Sequence, residues 1–148
     1  MKRRIFLLAA SGIALGASLK PDSAQAEESM QDAIAKVVGK AKISEGKVTL
    51  TVPSLVENGN TVPLSVSVES PMTAAEHVKA IHIFNEKNPQ PNVASFQLGP
   101  RAGRASVATR VRLADSQKLV AIAQMSDGRF WSASADVIVT LAACLEVI

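Results

Sequence analysis

The segment "KLVAIAQMSDGRFWSASADVIVTL" (residues 118–141) decides the fold of this chain. Its central "SDG" places Gly128 at the position where a tight hairpin turn requires a positive φ, which glycine adopts without steric cost. The residues on both sides are rich in the aliphatic and β-branched types that favour strands. The segment therefore predicts two antiparallel strands joined by a short turn.

The same strand pattern continues toward the N-terminus, with apolar residues at every second position. Five further segments show it: "KVTLTVPSLV" (47–56), "TVPLSVSVES" (61–70), "VKAIHIFNE" (78–86), "PNVASFQLGP" (91–100) and "RASVATRVRL" (104–113). Turn-forming residues separate them, including "ENGN" (57–60) and "NPQP" (88–91). About seven short strands with turns near every ten residues predict an all-β fold, an antiparallel, Ig-like β-sandwich.

One segment ahead of the strands has helical rather than alternating periodicity. In "SMQDAIAKVVGK" (29–40), apolar residues recur at three- and four-residue spacing. Ser29 is a suitable N-cap, and Gly39 is a suitable residue to end the helix. We expect one short N-terminal helix, followed by a connection over "AKISEG" (41–46).

The first 26 residues have the order of an export signal. A basic start containing Arg3 and Arg4 precedes an apolar run, and "AQA" supplies small residues for cleavage after Ala26. The paired arginines and the modest hydrophobicity favour a twin-arginine signal over an ordinary secretory one. The sequence thus predicts a cleaved signal over residues 1–26, one domain over residues 27–148, and a periplasmic location.

The net positive charge of the chain belongs to this leader. The chain has 16 basic and 13 acidic residues, and removing residues 1–26 leaves 12 of each. A neutral domain gives no electrostatic reason to expect nucleic acid or an anionic membrane surface as a partner.

The only cysteine, Cys144, lies four residues from the last residue. In an oxidising compartment, an unpaired cysteine is either a reactive group or a small, inert, buried residue. No basic residue lies within several positions of it, and the nearby Glu146 disfavours the thiolate that reacts. If the thiol reacts, we expect a partner protein to activate it.

No other residues form a recognisable catalytic constellation. His77 and His82 lack the carboxylate and cysteine neighbours of a metal site, and a structural role is the default for both. Arg101, Arg104, Arg110 and Arg112 form a basic cluster in the sequence, for which the alternatives are a solvated face and an anion or partner surface. An exported β-sandwich with one terminal thiol fits a carrier better than an enzyme.

Several stretches of the chain resemble the SoxY family, the sulfur-carrier subunits of the thiosulfate-oxidising Sox system. They are "ENGNTVPLSVSVESPMT" (57–73), "IHIFNEKNPQPNVASFQLGP" (81–100), "TRVRLADSQKLVAIAQMSDGRFW" (109–131) and the cysteine near the C-terminus. The resemblance implies a non-enzymatic carrier without metal or haem. Its cargo, thiosulfate or sulfane sulfur, is held covalently on a cysteine that corresponds to Cys144.

The resemblance also implies a set of partner proteins. The stable partner is a second small β-sandwich subunit, SoxZ, with which the family forms a heterodimer. The transient partners are a c-type cytochrome that loads thiosulfate, a hydrolase that releases sulfate and a sulfane dehydrogenase.

The tail departs from the family pattern. The family arm is typically Gly-Gly-Cys-Gly-Gly, whereas Ala142, Ala143, Leu145 and Glu146 surround Cys144 here. Alanine narrows the backbone torsions that glycine leaves free, and Leu145 adds bulk beside the sulfur. The apolar run through the tail is also compatible with a continued strand. Two hypotheses follow: a covalent sulfur carrier, and a diverged, non-carrying binding module that still pairs with a SoxZ-like subunit.

Overall fold

The computed structural model describes residues 27–142. The predicted signal, including Arg3, Arg4 and the cleavage site after Ala26, lies outside the described residues, as do Ala143, Cys144 and Leu145. Within the described part, no helix has both the length and the apolar character needed to cross a membrane.

One helix and nine strands make up the described chain, together with a short 3-10 helix at Pro100–Ala102. The helix is α1 (Met30–Val38), and the strands are β1 (Ile43–Glu45), β2 (Val48–Thr51), β3 (Leu55–Val56), β4 (Val62–Val68), β5 (Val78–Asn85), β6 (Asn92–Gln97), β7 (Ser106–Val111), β8 (Gln117–Met125) and β9 (Phe130–Val139).

The strands form two sheets that enclose the main core. The larger sheet has the order β1-β9-β8-β5-β6, with β3 also paired to β9, and the smaller sheet has the order β2-β4-β7. Alternate residues of β4 point into the space between the sheets, where they meet the buried residues of β5 and β8. Burying each aliphatic side chain there stabilises the fold by about 1.5–3 kcal/mol. The predicted β-sandwich is confirmed.

The hairpin and the helix caps follow the sequence closely. Strands β8 and β9 pair antiparallel, and Gly128 in the turn has a φ of 85°. The Ser29 hydroxyl accepts a hydrogen bond from the backbone N–H of Asp32 at 3.1 Å, which caps the start of α1. The N–H of Gly39, at a φ of 64°, donates to the carbonyl of Ala35 at the other end.

Two features of the larger sheet differ from the prediction. The segment 41–46, expected as a connection, contains β1, and the chain has nine strands rather than about seven. Strands β1 and β3 pair parallel with β9, so the sandwich is not purely antiparallel. Strand β1 has three residues, too few for alternation to show in the sequence. The predicted strand 47–56 is divided into β2 and the two-residue β3, which pair with different strands.

A second, smaller core lies beneath the helix. Met30 and Ala33 of α1 pack against Phe84, Ile122 and Phe130, which are on the outer face of the larger sheet. Helix α1 therefore covers the start of β9, whereas the chain leaves the sandwich at the other end of this strand. In the sequence, Cys144 follows that second end.

Candidate functional site: the base of the C-terminal segment

The last strand stops before the cysteine. Strand β9 ends at Val139, and Thr140, Leu141 and Ala142 are exposed and outside any strand. The possibility that the strand continues through the tail thus fails for the described residues, since the chain has left the sheet by Thr140. Cys144 itself lies outside the described residues.

Backbone hydrogen bonds tie the chain to the sandwich as it leaves. The N–H of Ile138 donates to the carbonyl of Ser54 at 2.9 Å, and the N–H of Thr140 donates to that of Val56 at 3.0 Å. The carbonyl of Leu141 accepts from the N–H of Gly59 at 2.8 Å. Among the described residues, Leu141 is the last with such a bond, so the base of the tail is fixed up to that point.

The loop that holds the tail is itself bonded to the segment that follows β7. The N–H of Leu113 donates to the carbonyl of Gly59 at 2.8 Å, and Gly59 in turn binds Leu141. The Ser116 hydroxyl accepts from the N–H of Val139 at 2.9 Å. Three separate parts of the chain thus converge at the base of the tail, and no sequence pattern signals these long-range contacts.

A polar network borders this end of the sandwich. The Gln117 side chain is buried; its carbonyl oxygen accepts from the N–H of Lys87 at 2.8 Å, and its amide donates to Asn88 Oδ1 at 2.9 Å. Asn88 also donates to the carbonyl of Arg112 at 2.7 Å. Nearby, Lys87 and Asp115 form an exposed ion pair with a 3.5 Å separation. These bonds connect the loops around the tail to one another.

The four arginines do not form a single basic surface. Arg101 and Arg104 follow β6, near the end of the sandwich where Ser67 pairs with Ser106. Arg110 pairs in register with Pro63 toward the opposite end, where the tail leaves. The four side chains are exposed, and the structure gives none of them an ion pair within residues 27–142. Arg101 and Arg104 precede β7, whereas Arg110 and Arg112 lie at and just after its end, so the length of this strand separates the two pairs.

The two histidines also occupy separate environments. His77 Nδ1 lies 3.0 Å from the carbonyl of Thr73 in a turn, whereas His82 is buried on β5 with Nδ1 at 2.8 Å from the Ser95 hydroxyl. Burial lowers the pKa of His82 below its usual value. Within the described part of the chain, no three His, Cys, Asp or Glu side chains are grouped to hold a metal ion.

An open groove of about 720 Å³ lies on the outer face of the smaller sheet. Strands β2, β4 and β7 contribute small and apolar residues to it, such as Thr51, Pro63 and Ala108, with Arg110 at its side. It contains no nucleophile paired with a base, so its lining does not indicate catalysis.

The family model for the sulfur oxidation protein SoxY matches residues 34–144 of the chain. Among solved structures, the sulfur carrier protein SoxY from Chlorobium limicola f. thiosulfatophilum is 33% identical, with a TM-score of 0.65 over 76% of this chain and 97% of that chain. No curated protein matches the chain.

Two other solved structures share the fold at lower identity. Superoxide reductase (neelaredoxin) from Ignicoccus hospitalis is 21% identical, with a TM-score of 0.56 over 64% of this chain and 80% of that chain. A putative superoxide reductase from Thermotoga maritima is 21% identical, with a TM-score of 0.57 over 67% of this chain and 93% of that chain. At this identity the likeness concerns the sandwich alone.

The fold and the family match together define a small β-sandwich protein of sulfur oxidation. The chain belongs to the SoxY family.

Proposed function

We propose that this chain is a non-enzymatic, covalent sulfur carrier that holds intermediates of thiosulfate oxidation on Cys144. The observation that carries the proposal is the end of β9 at Val139, with the last described tie to the sandwich at Leu141. The thiol comes three residues after this tie in the sequence. A cysteine on a short segment beyond a fixed base suits a group that must enter the active sites of other proteins.

The loading step joins the Cys144 sulfur to the outer sulfur of thiosulfate. The new S–S bond gives a cysteine S-thiosulfonate, while one proton leaves the thiol and two electrons leave the pair of sulfurs. The c-type cytochrome partner takes up the electrons. Because Glu146 is close in sequence and disfavours a thiolate, the partner is the source of activation.

The release step is a hydrolysis. Water attacks the sulfonate sulfur, the bond between the two cargo sulfurs breaks, and sulfate leaves. The cargo sulfur that remains on Cys144 is a persulfide, the substrate for the sulfane dehydrogenase. The carrier needs no metal or haem of its own for either step, because each partner supplies its own chemistry.

The proposal includes the compartment and the stable partner. A cleaved twin-arginine signal over residues 1–26, with Arg3 and Arg4, exports the remaining domain to the periplasm. There it pairs with a SoxZ-like β-sandwich subunit. The support for both is the sequence of the leader and membership of the family.

The altered tail favours a second candidate, a binding module that pairs with the SoxZ-like subunit but carries no sulfur. Its motivation is the loss of the glycines around the cysteine, since Leu145 adds bulk and Glu146 adds negative charge beside an anionic cargo. It predicts partner binding without any adduct on Cys144.

The test is loading with purified components. The mature protein, with its SoxZ-like subunit, is incubated with the thiosulfate-oxidising c-type cytochrome, thiosulfate and an oxidised electron acceptor. Intact mass then gains one S–SO₃ group, which reductant removes. The Cys144→Ser variant is the control and gains nothing. A wild-type chain that stays unmodified while the subunits remain associated would establish the binding module instead.

A further inference from the structure

Exposed apolar side chains are concentrated where the tail leaves the sandwich. Among the described residues, three large hydrophobic side chains are exposed: Leu55 at 60%, Ile138 at 59% and Leu141 at 64%. We call these three residues the basal patch. A single exposed leucine is ordinary on a protein surface, but all three of these belong to the β3–β9 pair and the residues that follow it.

The register places the members of the basal patch around the base of the tail. Leu55 and Ile138 are direct partners in the parallel pairing of β3 with β9, so their side chains lie next to each other on one face. Leu141 follows three residues later, where its carbonyl is tied to Gly59. The backbone here is hydrogen-bonded, so the positions at which the three side chains leave the backbone are fixed.

The length of chain beyond this tie limits where a partner can bind. Cys144 is the third residue after Leu141, and each extended residue spans at most about 3.5 Å, so the Cys144 Cα lies within roughly 10 Å of the Leu141 Cα. A protein that takes the Cys144 sulfur into its active site must therefore approach the base of the tail. The surface it meets there includes the basal patch.

We propose, on the basis of the carrier function above, that the basal patch is the docking surface for the thiosulfate-oxidising c-type cytochrome that loads Cys144. The occupant is the rim of its active-site entrance, lined by apolar side chains, that admits the tail. Burying the three exposed side chains against an apolar rim removes apolar surface of both proteins from water, which favours the encounter. A patch of three side chains is small, which suits brief encounters and rapid release.

The experiment compares charge added inside and outside the basal patch. The patch variants are Leu55→Glu and Ile138→Glu, and Ile138→Ser removes the apolar side chain without adding charge. The matched control is Ser134→Glu, which adds the same charge to an exposed position on the same face of β9, four residues away. Thermal unfolding first confirms that each variant is folded.

Two rates are measured for each folded variant. One is the rate of enzymatic loading, given as kcat/KM for the thiosulfate-oxidising c-type cytochrome with the variant carrier as substrate. The other is the rate of Cys144 alkylation by iodoacetamide, a small reagent that needs no docking surface. We expect the patch variants to lower kcat/KM by about tenfold or more, mainly through KM, while alkylation stays at the wild-type rate.

The outcomes separate this proposal from the carrier function. If the wild-type chain is not loaded at all, the carrier function fails, and the docking proposal fails with it. If wild type is loaded and the patch variants have the same kcat/KM, only the docking proposal is overturned. The same holds if kcat/KM falls as far for Ser134→Glu as it does for the patch variants. Faster alkylation of the patch variants would mean that the tail itself covers the patch, which also overturns it.

Discussion

The two ends of β9 are held in place by different means. At its start, Phe130 is buried beneath α1 together with Phe84 and Ile122, so side-chain packing holds the strand. At its end, Ile138 is exposed, and backbone hydrogen bonds to Ser54 and Val56 hold the chain. At this second end, the backbone bonds and the buried side chain of Val139 hold the chain, so the outward-facing side chain of Ile138 is available for contact with other proteins.

The largest effect on the free energy of unfolding is expected at the start of β9, beneath α1. Phe84 is fully buried, so Phe84→Ala removes its packing against the helix core and leaves a cavity. We expect a loss of about 3–5 kcal/mol in the free energy of unfolding, measured by urea denaturation. A loss below about 1 kcal/mol would show that this end does not depend on side-chain packing.

A smaller effect is expected from the bonds that fix the tail end. Ser116→Ala removes the hydroxyl that accepts from the N–H of Val139 at 2.9 Å. Leaving that partly buried donor unpaired costs about 1–2 kcal/mol. Hydrogen exchange should accelerate at Val139 and Thr140 and stay unchanged at Phe130. Equal acceleration at both ends would contradict a separate, backbone-fixed tail end.

The fold should also lose stability in acid through His82, whose ring centroid lies 6.3 Å from that of Phe84. Burial lowers the pKa of this histidine, so the unfolded chain takes up its proton at a higher pH than the folded chain does. Its contribution to stability is therefore complete above a pH of about 6.5 and declines as the pH falls through that value. Urea unfolding at several pH values should show a shallower decline for His82→Gln than for wild type. Parallel curves would exclude His82 as the cause.

The smallest effect on the free energy of unfolding is expected from a substitution in the basal patch. Ile138→Ser changes an exposed side chain, so the free energy of unfolding should move by no more than about 0.5 kcal/mol. The same urea experiment as for Phe84→Ala measures it. A loss of several kcal/mol would mean that Ile138 serves the fold, and the contrast between the two ends of β9 would disappear.

Local sequence patterns predict much of this fold. Alternation identifies the long strands, and Ser29, Gly39 and Gly128 mark the helix ends and the hairpin turn because each supplies a specific cap or φ value. Strand β1 could not be predicted, since it is very short and depends on pairing with the distant β9. The division of the predicted strand 47–56 into β2 and β3 could not be predicted either, because β3 separates from β2 to pair with β9.

The site was predictable only in part. The position of Cys144 identified the tail, but the tie between Gly59 and Leu141 joins residues far apart in the sequence and involves only backbone atoms. The exposure of Leu55 and Ile138 could not be predicted either, because leucine and isoleucine in strands are usually core residues. The arginine cluster appeared continuous in sequence, whereas the extended strand β7 spreads it over two ends of the sandwich.

Trypsin offers the most direct way to examine the attachment site in the native protein. Cleavage after Arg129 releases one peptide, residues 130–148, that contains the only cysteine and no further basic residue. The peptide is prepared without reductant from protein isolated from thiosulfate-grown cells, and its fragments locate any added mass. We expect a thiosulfonate or persulfide group on Cys144 that reductant removes. An unmodified peptide ending in "LEVI", from cells that are actively oxidising thiosulfate, would contradict the carrier function.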